Sequence, residues 1–169
     1  MLVKTVLEER FDDYRLPSLY IGCVSCNGKC AAEGRFSIDM CINDVWRKTP
    51  NVRVDDDVII RRYLRNPITS AVVFGLLEPM EQFDEVYAFV EKLRINYQCD
   101  DDVVIYTGYT EKECQEAGWI EKLSGFHNIV IKFGRFIPNH AAHFDEVLGV
   151  KLASDNQYAI KYNSAKKSY

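Results

Sequence analysis

The sequence predicts an α/β fold built on a parallel sheet. Four short apolar runs, SLYIG at 18–22, AVVF at 71–74, VVIYT at 103–107 and IVIKF at 129–133, are continuous rather than alternating. That is the pattern of strands covered by helices on both faces. The intervening stretches carry helix start and stop signals, and alternating strands and helices favour a parallel sheet joined by crossovers. In such sheets ligands sit beyond the carboxyl ends of the strands.

Taken in order, the first strand ends at Gly22 and delivers the chain into a polar segment, 23–53, rich in Gly, Asn, Asp and Lys. It reads as a long loop, and long loops in compact domains are usually functional. Asp55, Asp56 and Asp57 cap a helix that runs to Arg65, where Asn66-Pro67 stops it. The 71–74 strand ends at Gly75. A helix follows over 81–97, with Phe83, Val86, Val90, Leu93 and Tyr97 on one apolar face. Residues 100–102 make a polar turn into the third strand. Thr110 and Glu113 match a capping box opening a short helix towards Gly118, and 129–133 is the fourth strand.

The 169 residues suit a single domain over 1–162 with a polar tail at 163–169. Hydrophobic residues at 47% and charged residues at 27% exclude a disordered or collagen-like chain. A net charge of −4 offers no basic field for nucleic acid or an anionic membrane. No apolar run approaches the roughly 20 residues of a membrane span. The opening, MLVKTVLEERFDDY, lacks a signal peptide's apolar stretch, so the expected compartment is the cytoplasm, where thiols stay reduced.

In that compartment a tight cysteine cluster reads as metal-binding. Cys23, Cys26, Cys30 and Cys41 fall just past the carboxyl end of the first strand. A structural zinc site typically uses two separated Cys-x-x-Cys pairs, and here only Cys23 and Cys26 make one. An iron–sulfur cluster accepts more varied spacings, which favours it over zinc. Cys99 and Cys114 stand alone and read as buried small hydrophobes. His140 and His143 have near-helical spacing but no carboxylate motif, and with His127 they read as solvated side chains. No Gly-rich phosphate loop and no serine elbow is present.

Several stretches together resemble the radical S-adenosylmethionine (SAM) proteins, and among them the anaerobic ribonucleoside-triphosphate reductase activating proteins. Besides the strand entering the cysteine segment, Cys41-Ile42-Asn43 with Trp46 is similar to a Cys-x-Asn followed by Trp. Val73-Phe74-Gly75-Leu76-Leu77-Glu78-Pro79 is similar to a strand ending in a Gly-Gly-Glu-Pro turn. Val104 to Thr110 carries the Tyr-Thr-Gly-Tyr signature. Gly134-Arg135-Phe136 and Ser154-Asp155-Asn156-Gln157 match two carboxyl-terminal elements. The match spans about 18–161, in order.

The resemblance implies an incomplete (β/α) barrel and a [4Fe–4S] cluster on three cysteines. It further implies SAM as the second cofactor and reductive cleavage to a deoxyadenosyl radical. The partners it implies are an electron donor and a glycyl radical enzyme resembling anaerobic ribonucleotide reductase. Glu78 would accept from the methionyl ammonium, Gly75 would let backbone approach the ligand, and Asn156 could donate to SAM. Tyr106 and Tyr109 could line the cavity. The family's Cys-x-x-x-Cys-x-x-Cys is altered here, since position 33 is Glu33. The Asn43 and Trp46 match favours Cys26, Cys30 and Cys41 as ligands, with Cys23 in reserve. Leu76 and Leu77 stand where the turn's second glycine would be. The alternative function is a non-catalytic regulatory module holding zinc or an iron–sulfur group.

Overall fold

Strand residues with no polar side chain to satisfy can be stacked in the middle of a sheet, and the computed structural model, which describes residues 1–163, does this with three of the four runs. Strands β1 (Leu2–Val3), β2 (Thr5–Arg10) and β3 (Ser18–Gly22) open the chain; β4 (Val52–Arg53), β5 (Ala71–Gly75), β6 (Asp102–Tyr106) and β7 (Ile129–Phe133) follow. Strands β8 (His143–Asp145), β9 (Val150–Leu152) and β10 (Tyr158–Tyr162) complete the set. The main sheet has the order β10-β7-β6-β5-β3-β2. Its four central strands, β3, β5, β6 and β7, pair in parallel, and β2 and β10 add antiparallel edges. The sheet is therefore mixed rather than wholly parallel. The antiparallel pairs β1–β4 and β8–β9 lie outside it.

Helix α1 (Lys29–Gly34), a 3-10 turn at Ile38–Met40 and helix α2 (Asp44–Arg47) occupy the segment expected to be a loop. Helix α3 (Asp56–Arg65) starts as expected, the Asp55 carboxylate accepting from the Asp57 amide at 2.8 Å. A 3-10 turn at Pro79–Gln82 precedes α4 (Phe83–Ile95), whose Phe83, Val86, Phe89, Val90 and Leu93 are buried. Tyr97 falls beyond its end. Helices α5 (Glu111–Glu116), with both halves of the Thr110/Glu113 box formed, and α6 (Trp119–Leu123) complete the set.

The helices do not cover both faces. Residues of α3, α4, α5 and α6 share one core with Leu19, Ile21, Phe74, Ile105, Ile131 and Phe133. The alternate residues, Val73, Val104 and Val130, pack instead with Tyr14, Leu148 and Leu152. Chain from outside the helices thus closes the second face: the Arg15 amide donates to the Leu148 carbonyl at 2.6 Å. Cys99 and Cys114 sit in the helix-side core, as small hydrophobes do. No helix among the described residues is long and apolar enough to cross a membrane. The expected polar tail lies outside the described residues from position 164.

Candidate metal centre

Parallel pairing sets Gly22 level with Gly75. The two chains therefore leave the sheet side by side, one into the cysteine segment and the other into the turn carrying Glu78. The Cys23 amide donates to the Gly75 carbonyl at 2.9 Å, and the Glu78 amide to the Ser25 carbonyl at 2.7 Å. The Val24 amide donates to Gln82 Oε1 at 2.7 Å. Asn27 Nδ2 donates to Glu81 Oε1 at 2.7 Å and to the Tyr109 hydroxyl at 2.8 Å. Asn43 Nδ2 reaches the Leu76 carbonyl. Leu76 has φ 73°, a left-handed conformation that costs a non-glycine residue about 1–2 kcal/mol. The turn thus keeps the backbone shape a glycine would take, and that shape presents the carbonyl to Asn43.

Cys26 and Cys30 line one cavity with Asn27, Lys29, Glu78, Gly108, Tyr109 and Arg135. Burial holds the thiols of Cys26 and Cys30 protonated above the usual range, and each also feels Cys41. The Gly28 amide donates to Cys26 Sγ at 3.4 Å. Cys23 stands apart: it is fully buried in the helix-side core, and burial pushes its thiol far up.

Glu78 is 8% exposed. Its Oε1 accepts from the Met80 amide at 3.1 Å and Thr107 Oγ1 at 2.7 Å, and its Oε2 from the Gly108 amide at 2.7 Å. It therefore caps the Pro79–Gln82 turn and lines the cavity at once. A carboxylate offers about four acceptor sites, so one remains on Oε2. Burial raises its pKa, and those three donors, with Lys132, oppose the rise.

The other expected residues are placed differently. A Cβ on Gly75 would meet the Tyr20 hydroxyl at 2.7 Å, so a tyrosine fills the room the glycine leaves. Asn156 spends its amide on the Arg135 carbonyl at 2.8 Å, leaving a buried Oδ1 with no partner. What it offers a ligand is an acceptor, not the donor expected. Tyr109 lines the cavity, whereas Tyr106 packs on the opposite face with its hydroxyl donating to the Asp13 carbonyl. His127 faces Asp100, and His140 pairs with Asp155 at 2.6 Å; neither joins the cysteines.

Sequence reading missed two groups. Arg135 is clamped by Glu113 through two bonds of 2.8 Å, reaches Glu33 at 3.2 Å and lies over the Tyr109 ring. Lys29 joins Glu113 at 2.9 Å. Both ends of α1 are thereby pinned across the cavity, and the Arg135 guanidinium holds the Glu113 carboxyl far below its usual range. Lys132 is buried, donates to the Gly134 carbonyl at 2.7 Å, and is pulled down to about 8 by burial, against the pull of Glu78 and Cys30. Its signal was visible as the lone charge in IVIKF.

The donor set discriminates between the candidate groups. A single zinc ion needs its donors about 2.0–2.3 Å from one point. Among the described residues no three Cys, His, Asp or Glu side chains gather that way. Thiolates that each bind a different iron need not converge on one point, and three half-buried cysteines that sense one another suit that arrangement.

The model of the family described as a 4Fe-4S single cluster domain matches residues 21–158. The chain belongs to that family. It is a 4Fe–4S cluster-binding domain, and the match takes in all four clustered cysteines as well as Glu78 and Arg135. Neither the curated proteins nor the solved structures gave a match.

Proposed function

We propose that this cluster-binding domain is a radical SAM activase, cytoplasmic and built as an incomplete (β/α) barrel. The reading is carried by one observation: Cys26 and Cys30 share a cavity with the Glu78 carboxylate and the Gly108–Tyr109 turn. When bound, a [4Fe–4S] cluster with one iron free of protein ligands gives one electron to SAM, releasing methionine and a deoxyadenosyl radical that takes hydrogen from a partner enzyme's glycine.

Cys26, Cys30 and Cys41 are the ligands in this reading. Cys23, on the strand side, is structural. Glu78 keeps its last acceptor site for an ammonium donor, and its three internal hydrogen bonds fix the carboxylate in place beforehand. Asn156 Oδ1 takes a hydroxyl or amino proton of the nucleoside. Helices on one sheet face, with non-helical chain on the other, support the incomplete barrel. The cavity as it stands holds only about 40 Å³, so Lys29 and Arg135 must swing aside when ligands enter.

Anaerobic reconstitution tests this. Expected are about four irons per chain, a change in the reduced cluster's electron paramagnetic resonance (EPR) signal on adding SAM, and deoxyadenosine formed under reductant. Iron without a SAM-dependent change would leave a plain iron–sulfur module. One zinc and no iron would overturn the cluster assignment itself.

A further inference from the structure

The segment around Cys41 presents apolar side chains to solvent. Met40, Ile42 and Val45 are 68%, 91% and 63% exposed, within six positions that bracket the cysteine. Exposed apolar groups gathered in this way mark interaction sites more often than scattered ones do. Exposed cations rim them: Arg35, which makes no ion pair among the described residues, with Arg47 and Lys48, which share Asp44 at 3.9 and 2.6 Å. Residues 35–53 hold four cations against two carboxylates, in a chain whose net charge is −4.

An iron–sulfur cluster changes state by one electron, and that electron must come from a carrier able to approach closely. The surface over a cluster ligand gives the shortest approach. An apolar centre with a cationic rim is complementary to a carrier with an apolar centre and an acidic rim. A patch this small suits the transient encounters of electron transfer, which bury less than about 1,200 Å².

We propose that the face of Met40, Ile42 and Val45 is the docking surface for an acidic one-electron carrier protein. The reduced carrier loses one electron and the oxidised cluster gains it; no bond forms or breaks, and no proton moves. The proposal rests on Cys41 being a cluster ligand, and it is independent of SAM.

The test compares two reductants on the reconstituted protein under anaerobic conditions. One is a reduced [2Fe–2S] ferredoxin with an acidic surface; the other is photoreduced deazaflavin, which is small and uncharged. Rapid-freeze EPR separates the two iron–sulfur signals. Ile42→Ser and Val45→Ser should each lower the ferredoxin rate about tenfold, and Lys48→Glu should lower it severalfold and flatten its salt dependence. The deazaflavin rate and the iron content should not change. If Ile42→Ser loses iron, being next to Cys41, Val45→Ser and Lys48→Glu decide. Equal losses with both reductants, or no loss with ferredoxin, would overturn the proposal. So would a dimer of this chain that Val45→Ser dissolves. Loss of SAM cleavage with ferredoxin reduction intact would sink the activase reading and leave this one standing.

Discussion

In β5 and β7 every residue is buried, whereas between positions 23 and 48 only Cys23 and Ala31 are. The sheet is positioned by apolar packing and by hydrogen bonds along its strands. The cysteine segment is positioned by polar staples: Asn27 to Glu81 and Tyr109, Asn43 to Leu76, and Lys29 and Glu33 to Glu113 and Arg135. Packing resists any single substitution, but a staple is lost with one side chain. The ligand-bearing part of this molecule should therefore loosen under changes that leave the sheet intact.

The sharpest break in that contrast comes from the cysteines. Alanine at Cys26, Cys30 or Cys41 should abolish iron incorporation, while Cys99→Ala and Cys114→Ala keep it and lose only core stability. Iron analysis after reconstitution checks this; full iron in Cys41→Ala with none in Cys23→Ala would transfer the third ligand to the buried strand end. Glu78→Gln spans both regions. Its amide cannot accept from both Thr107 and the Gly108 amide, so SAM affinity should fall about ten- to a hundredfold by titration, with iron content unchanged. The lost cap adds about 1 kcal/mol of destabilisation, roughly 2–4 °C in Tm.

Arg135→Ala removes the clamp. Hydrogen bonds to charged groups contribute roughly 1.5–3 kcal/mol, so Tm should drop by about 5 °C. Limited proteolysis should cut first within 26–48, where the staple acts; first cuts in the sheet would show that Arg135 serves the body instead. Glu113 has a lowered folded pKa, so its contribution is present above the ordinary carboxylate range and disappears in acid as the carboxylate takes up its proton. The smallest effect concerns Lys132. Its folded pKa lies near 8, below the free lysine value, so the unfolded chain binds more protons between about pH 8 and 10.5, and this group adds stability as pH rises there. The Tm of Lys132→Met minus that of wild type should therefore fall across that window, and a constant difference would place the amine in solvent.

Legibility followed the same divide. Asp55 before α3 and the Thr110/Glu113 box were readable because a cap and its amide lie within three residues of each other. Helices α1 and α2 escaped because they are six and four residues long and begin without a capping side chain. Strand β2, TVLEER, was missed as a half-exposed edge with too much charge for an apolar run. The second sheet face needed Tyr14 to meet Leu148 and Leu152, a convergence that no local pattern encodes. The cysteines and Glu78 were legible as residue types in motifs. Arg135 was legible only as part of a motif, since its partners come from α1 and α5.

The level exit of β3 and β5 also bears on how this protein could change over generations. Glu78 stands three residues past Gly75, so its height above the sheet is set by strand register. A one-residue insertion between Ala71 and Glu78 would displace it by about 3.3 Å or turn the strand's buried side chains outward. The stretch from Arg35 to Lys48 has no such bond to the sheet except through Asn43. Length variation should accordingly be absorbed on the ligand-bearing side and rejected on the carboxylate side, leaving the cysteine spacing free to drift around a fixed Glu78.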